Sequence, residues 1–362
     1  MNIPNSQSKL NLKAGEWVEV RSREEILATL DERGCLDGAP FMPEMLSYCD
    51  RRFRVVKRAD KTCDPAHEPW SIRRVKDSVH LENLRCDGRQ HGGCQAGCLI
   101  FWKEAWLRRA ANDIVSADRL HQTPSAVARR EGNCTVESLA DASQRVGPDG
   151  ETIYSCQATD LRNFTTEMAA WDPRQYVRDL WSGNLATGLA ADSRGNRLLE
   201  FVLGTITLVR SMIISTFNLV PRRIKGPAYP HLQGALEKTP VENLNLQAGE
   251  LVQVRTREEI IATLDKHNRN RGMLFDGEML PYCGGIYRVL RRVHHIIDER
   301  TGKMVNMKSP CIVLEGVVCQ SDYHRLCPRA IYPYWRENWL KRAVIPLDAS
   351  ADKPVAEICE KI

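Results

Sequence analysis

The sequence predicts an α+β protein. Two homologous, small SH3-like β-barrel repeats, each followed by a cysteine-anchored helix, are joined by a largely helical middle segment. Three observations predict this. Leu10 to Leu30 (LNLKAGEWVEVRSREEILATL) matches Leu244 to Leu264 (LNLQAGELVQVRTREEIIATL) without a gap, and self-similarity of that extent marks a duplicated unit. Each match opens on Ala-Gly-Glu-x-Val-x-Val and continues as short strands around one short helix, the pattern of a small, partly open barrel. Finally, Cys86 to Ala110 (CDGRQHGGCQAGCLIFWKEAWLRRA) returns, altered, as Cys319 to Ala343 (CQSDYHRLCPRAIYPYWRENWLKRA). Its Leu99, Phe101, Trp102, Trp106 and Leu107 recur at helical spacing.

The elements follow in order. Residues 1–9 are polar and expected to be disordered, and residues 10–110 form the first repeat. Gly15 to Arg21 alternates as a strand. Ser22 with Glu25 is a capping box, repeated as Thr256 with Glu259, and Ile26, Leu27 and Leu30 give the helix that follows an apolar face. Asp37-Gly38 and Pro40 mark a turn. Phe53 to Lys57 and Val79 to Leu84 are further strands. Glu44-Met45-Leu46 and Tyr48-Cys49 match Glu278-Met279-Leu280 and Tyr282-Cys283.

Residues 111–243 form a polar linker and a middle segment predicted to be helical. A weak helix is expected near Val136 to Val146, and Tyr154-Ser155-Cys156-Gln157 stands out from the polar surroundings. Asp172-Pro173 has the form of a helix start, with Trp171, Tyr176, Leu180 and Trp181 on its apolar face. Leu198 to Val220 is the most apolar stretch. Glu200 and Arg210 inside it disfavour a membrane span and favour a core helix between the repeats, ended by Pro221. Residues 244–346 form the second repeat, in which Ile286 to Ile297 and Met304 to Val318 flank the turn Asp298 to Gly302 as a hairpin. Residues 347–362 are a tail.

The chain has 362 residues, a formal charge of +5 and 13 cysteines. Its mild, interspersed charge gives no basic stripe of the kind nucleic-acid binders carry. The first residues lack a signal-peptide pattern, so a cytoplasmic location is expected. In that compartment cysteines serve more often as ligands, catalysts or buried thiols than as disulfides.

Two metal sites are therefore predicted. The first uses Cys63, Cys86, Cys94 and Cys98, with His91, His80 and His67 as substitutes for Cys63. Its spacing lacks paired C-x2-C knuckles, which tilts the reading from zinc toward an iron–sulfur cluster, [4Fe–4S] above all. The second uses Cys311, Cys319 and Cys327. Ile331 stands where the first repeat has Cys98, so the fourth ligand is Cys156 or His324, or the position is open for chemistry. Cys49 and Cys283 read as core thiols, and Cys35, Cys134 and Cys359 carry no pattern. Trp102, Trp106, Trp335 and Trp339 read as core anchors. No catalytic residue can be named, for no nucleotide or hydrolase motif is present.

The strings CDGRQHGGCQAGC with FWKEAWL, and VLEGVVCQSDYHRLCPRAIYPYWRENWL, resemble a bacterial protein family with tandem cysteine-rich repeats and no established activity. The resemblance covers nearly the whole chain. It implies one architectural unit and transfers no catalytic role. The function predicted is a metalloprotein with two cysteine-ligated centres, iron–sulfur rather than zinc. One centre is closed and the other open to redox or sulfur chemistry in a biosynthetic pathway, acting on a small-molecule substrate or a redox partner. The alternative is a zinc-stabilised tandem barrel module that binds nucleic acid or a protein partner. A membrane partner is not expected.

Overall fold

The computed structural model describes residues 9–67, 71–110, 134–169, 172–185, 197–224, 230 and 232–343. The alternating Trp17–Val20 buries Val18 and Val20 and leaves Trp17 exposed. This strand pairs antiparallel with Arg52–Arg58 on one side and Leu107–Arg109 on the other, and the sheet runs on through Ser78–Leu81 to Trp102–Lys103. In the second copy Leu251–Val254 pairs with Ile286–Arg292 and with Leu340–Arg342, and Ile312–Leu314 forms the far edge. The capping boxes form at both Ser22 and Thr256.

These sheets correct the barrel expectation. No closed barrel forms among the described residues: the two edges of the first sheet, Trp102–Lys103 and Leu107–Arg109, are joined by the 3-10 turn Glu104–Trp106 and not by a hydrogen-bonded ladder. The cysteine-anchored helices are absent for the same reason. An apolar spacing that fits a helix also fits strand, turn, strand when the turn resets the period. Trp102 and Trp106 both bury edge-on against Phe41, with ring centroids 6.3 and 5.1 Å away. Between them the buried Glu104 accepts bonds from the backbone N–H of Leu12 (2.9 Å) and the Arg58 guanidinium (2.6 Å). Glu337 accepts from Leu246 N–H (2.9 Å) in the same way. These matched glutamates tie the chain entry to the closing turn.

The described residues of the middle segment are not largely helical either. It holds the helices Val136–Ala142, Arg174–Trp181 and Arg197–Ile224, but also the hairpin of Gln144–Val146 with Thr152–Tyr154. Thr165–Glu167 adds a third strand to a sheet of Lys61–Asp64 and Ser71–Val75. The long helix continues through Pro221 to Ile224. It is not the expected core helix. It buries Ser211 and Ile214 but exposes Val202, Ile206, Val209, Met212, Ile213 and Phe217. No helix among the described residues is long and apolar enough to cross a membrane. The expectations for residues 1–8, for the linker 111–133, for Trp171 and for the tail with Cys359 fall outside the described residues.

What this architecture positions is a pair of cysteine loops set against each other. The Arg85 guanidinium donates to Ala330 O (2.9 Å), the His295 ring lies 2.9 Å from Gly93 O, and His294 N–H donates to the Gln95 side chain (2.6 Å).

Candidate metal centres

Both loops follow one backbone path. Cys86 N–H donates to Cys98 O and Cys319 N–H to Ile331 O, each at 2.8 Å. Inside the first loop His91 N–H donates to Gly88 O and Cys94 N–H to His91 O; inside the second, His324 N–H donates to Ser321 O and Cys327 N–H to His324 O. The first loop takes its left-handed turns at Gly88, Gly92, Gly93 and Gly97. The second takes them at the corresponding Ser321, Arg325, Leu326 and Ala330, with φ of 63°, 55°, 58° and 43°. Side chains in that region cost on the order of 1 kcal/mol or more each and persist only where the surroundings dictate the path. Something other than local preference keeps the second loop in this shape.

The shape brings three donor types together twice: Glu44, Cys86 and His91 in one copy, Glu278, Cys319 and His324 in the other. Within each set the donor atoms all lie within 4.8 Å of one another, so each set could hold a metal ion. In the first, the Cys86 thiol donates to Glu44 Oε1 (2.9 Å) and His91 Nδ1 faces the same oxygen at 3.2 Å. His91 Nε2 sits 3.1 Å from Ser155 O. A carbonyl only accepts, so Nε2 carries the proton and, in the neutral ring, Nδ1 turns a lone pair toward the carboxylate. His91 Nδ1 and Glu44 Oε2 are buried with no hydrogen-bond partner. Two acceptors face to face call for a cation or a proton between them.

The second set has the same polarity. His324 Nδ1 lies 3.6 Å from Cys319 Sγ and 3.7 Å from Glu278 Oε1, while Nε2 is 3.5 Å from Asp276 Oδ2. Metal-ligating histidines characteristically give their other nitrogen to a carbonyl or carboxylate in this manner. Edges of about 3.3–3.8 Å are what a tetrahedral ion with bonds of about 2.0–2.3 Å requires.

The electrostatics separate the two sets. Burial pushes the Cys86 thiol up, and the Glu44 carboxylate pushes it further; burial likewise drives Cys319 well above the thiol range, with Glu278 adding to it. Both therefore stay protonated unless a cation displaces the proton. Burial also raises Glu44, but the His91 ring and the Cys86 thiol hold its carboxyl below the usual range. Glu278 is pushed up to about 7 by burial, with Asp276 and Asp322 adding to it, although Tyr323 N–H donates to its Oε1 (2.7 Å).

The structure redistributes the sulfurs expected at each site. Cys63 does not join Cys86; its N–H donates to Cys327 Sγ (3.0 Å), and both are buried with Ile72 where the two copies meet. Cys156, expected to serve the second site, instead lines one cavity with Cys86, Cys94 and Cys98. Cys311 packs with Val293 and Val313, away from Cys319 and Cys327. His80 is buried with Nδ1 2.8 Å from Ile100 O, and burial pushes it down to about 4. His67 pairs with Asp64 at 2.9 Å. Neither substitutes for Cys63. The residues missed by spacing alone are Glu44 and Glu278. Their signal was present: both lie in a matched Glu-Met-Leu some forty residues before the cysteine, where fold and site were indistinguishable.

No protein-family model matches the chain, and neither curated proteins nor solved structures give a match.

Proposed function

We propose that the protein is a metalloprotein that holds one divalent transition-metal ion of the zinc class at each Glu–Cys–His triad. The observation that carries this reading is the histidine orientation, with Nδ1 toward the cysteine and glutamate and Nε2 toward an oxygen, found at both triads. A mixed N, O and S donor set suits zinc or a related borderline ion better than an iron–sulfur cluster, whose ligands are chiefly thiolates. Three protein donors leave one tetrahedral position for water or a substrate atom, where the ion acts as a Lewis acid or lowers the pKa of bound water. The His91 side chain is only 1% exposed, against 15% for His324, whereas the two glutamates are both buried, at 7% for Glu44 and 4% for Glu278. On this reading the first centre, with the more buried histidine, is the structural one, and the second, with the more open histidine, is the one that meets a small-molecule substrate.

Metal analysis of the full chain tests this. Two zinc-class ions per chain are expected, falling to one in His91→Ala and to one in His324→Ala. A wild-type chain without stoichiometric zinc-class metal, or variants that keep both of these ions, would overturn the proposal.

A further inference from the structure

The cavity beside the first triad is lined by Cys86, Cys94, Cys98 and Cys156, with Glu299 and Arg329 from the second copy closing it. Its volume is about 40 Å³, room for more than one water-sized occupant. Four thiols from two separate segments of the chain meet there, whereas thiols that serve only as small hydrophobes pack without leaving space between them. Their spread is informative. Among the described residues the only sets of three or more metal-donor atoms mutually within 4.8 Å are the two triads, so no three of these four sulfurs lie that close together. Four thiolates on one zinc ion, with bonds of about 2.3 Å, sit about 3.8 Å apart. The sulfurs are spread too far apart for a single ion to bind three of them and suit a group of several metal atoms. Cationic Arg329, itself held by Glu299 (2.7 Å), faces the sulfurs and offsets the negative charge such a group carries.

We infer that Cys94, Cys98 and Cys156 hold an iron–sulfur cluster, with Cys86 shared between that cluster and the ion on Glu44 and His91. This deepens the proposed function at its first centre and rests on that reading only for the role of Cys86. Each thiol gives up its proton as it binds iron, and the iron and sulfide come from outside the protein. The second copy has no counterpart: Ile331 replaces Cys98, and Cys327 is turned toward Cys63.

The test is acid-labile sulfide, iron and zinc per chain, with a visible spectrum, on full-length protein purified anaerobically and reconstituted with ferrous iron and sulfide. Wild-type protein should contain sulfide and a brown iron–sulfur absorption. Cys156→Ala, and Cys98→Ile, which copies the residue of the second loop, should lose all sulfide and colour while keeping both triad ions and an unchanged circular dichroism spectrum. His91→Ala should lose its triad ion and keep sulfide. Wild-type protein without sulfide after reconstitution, or a Cys156→Ala variant that is folded and retains full sulfide, overturns the cluster. Should Cys156→Ala fail to fold, the wild-type sulfide content and the folded Cys98→Ile variant still decide. Loss of triad ions alone, with sulfide intact, would overturn the proposed function and not the cluster.

Discussion

The two cysteine loops share a backbone and a triad but differ in what surrounds them. The first reaches its left-handed turns with glycine and is enclosed by Tyr154 and Met304, which lie within 3.1 Å of where a Gly92 Cβ would sit. The second makes the same turns with serine, arginine, leucine and alanine, and its histidine looks toward a half-buried aspartate. Holding the path without the residues that favour it means the path is dictated by tertiary contacts and, on the proposed reading, by the ion. The comparison therefore predicts unequal responses to the same insult.

The largest difference should follow removal of the shared thiols. Metal binding in small structural zinc sites is worth about 10–16 kcal/mol and is at the same time folding free energy. Cys86→Ala, in the site with the more buried histidine, should give insoluble or unfolded protein, whereas Cys319→Ala should remain folded with one ion fewer. Thermal unfolding and metal content of the two variants measure this. Equal damage from both would remove the distinction between a closed and an open centre.

The loop geometry gives the next effect. A Cβ on Gly88 would sit 2.0 Å from Cys94 O, with φ at +73°. Gly88→Ala should open the first loop, cost several kcal/mol and release the first ion, while Ser321 already occupies the equivalent place in the second loop. A Gly88→Ala protein with wild-type metal content would show that the glycine is not needed.

How much of this the residues announced can be traced position by position. The strand of Trp17 to Val20 and the capping boxes of Ser22 and Thr256 are local features, and local features are legible. Trp102 and Trp106 misled because a 3-10 turn between two short strands reproduces helical spacing. Cys63 and Cys156 misled for a different reason. Their partners are set by how the two copies and the middle segment pack, at sequence separations of 264 for Cys63 with Cys327, and no local pattern encodes that. Glu44 and Glu278 lay in a visible match whose purpose only the fold discloses.

A smaller effect separates the copies by pH. The folded pKa of Glu278, about 7 against the ordinary 4.5, means that the buried carboxyl favours its protonated form. In metal-free protein its contribution to stability is fully present below the unfolded value and is lost as pH rises through about 7, an effect on the order of 3 kcal/mol. Glu44 is shifted the other way. Its contribution is present above the unfolded value and is lost as pH falls through its lower folded value. Chelator-treated protein should therefore lose stability between about pH 5 and pH 8, and Glu278→Gln should flatten that slope. A slope unaffected by Glu278→Gln would assign it elsewhere.

The smallest effect concerns the strained turns themselves, and it has the opposite sign to the rest. Ala330 sits at φ 43° where the first loop has Gly97. Its methyl group is half-buried, and its carbonyl receives the Arg85 guanidinium, so a substitution that keeps the backbone keeps that contact. A left-handed conformation costs an L-residue about 1–2 kcal/mol, and glycine returns about 0.5–1 kcal/mol of this as extra freedom in the unfolded chain. Ala330→Gly should therefore stabilise the protein by about 0.5–1 kcal/mol, read as a raised denaturant midpoint with unchanged slope. Metal removal sharpens the reading. If the ion holds the second loop in its path, the gain should appear in the metal-loaded protein and shrink in the chelated one, where the strained loop is free to relax. A gain of the same size in both states would mean that tertiary contacts alone dictate the path, and the ion would then bind a loop already shaped for it.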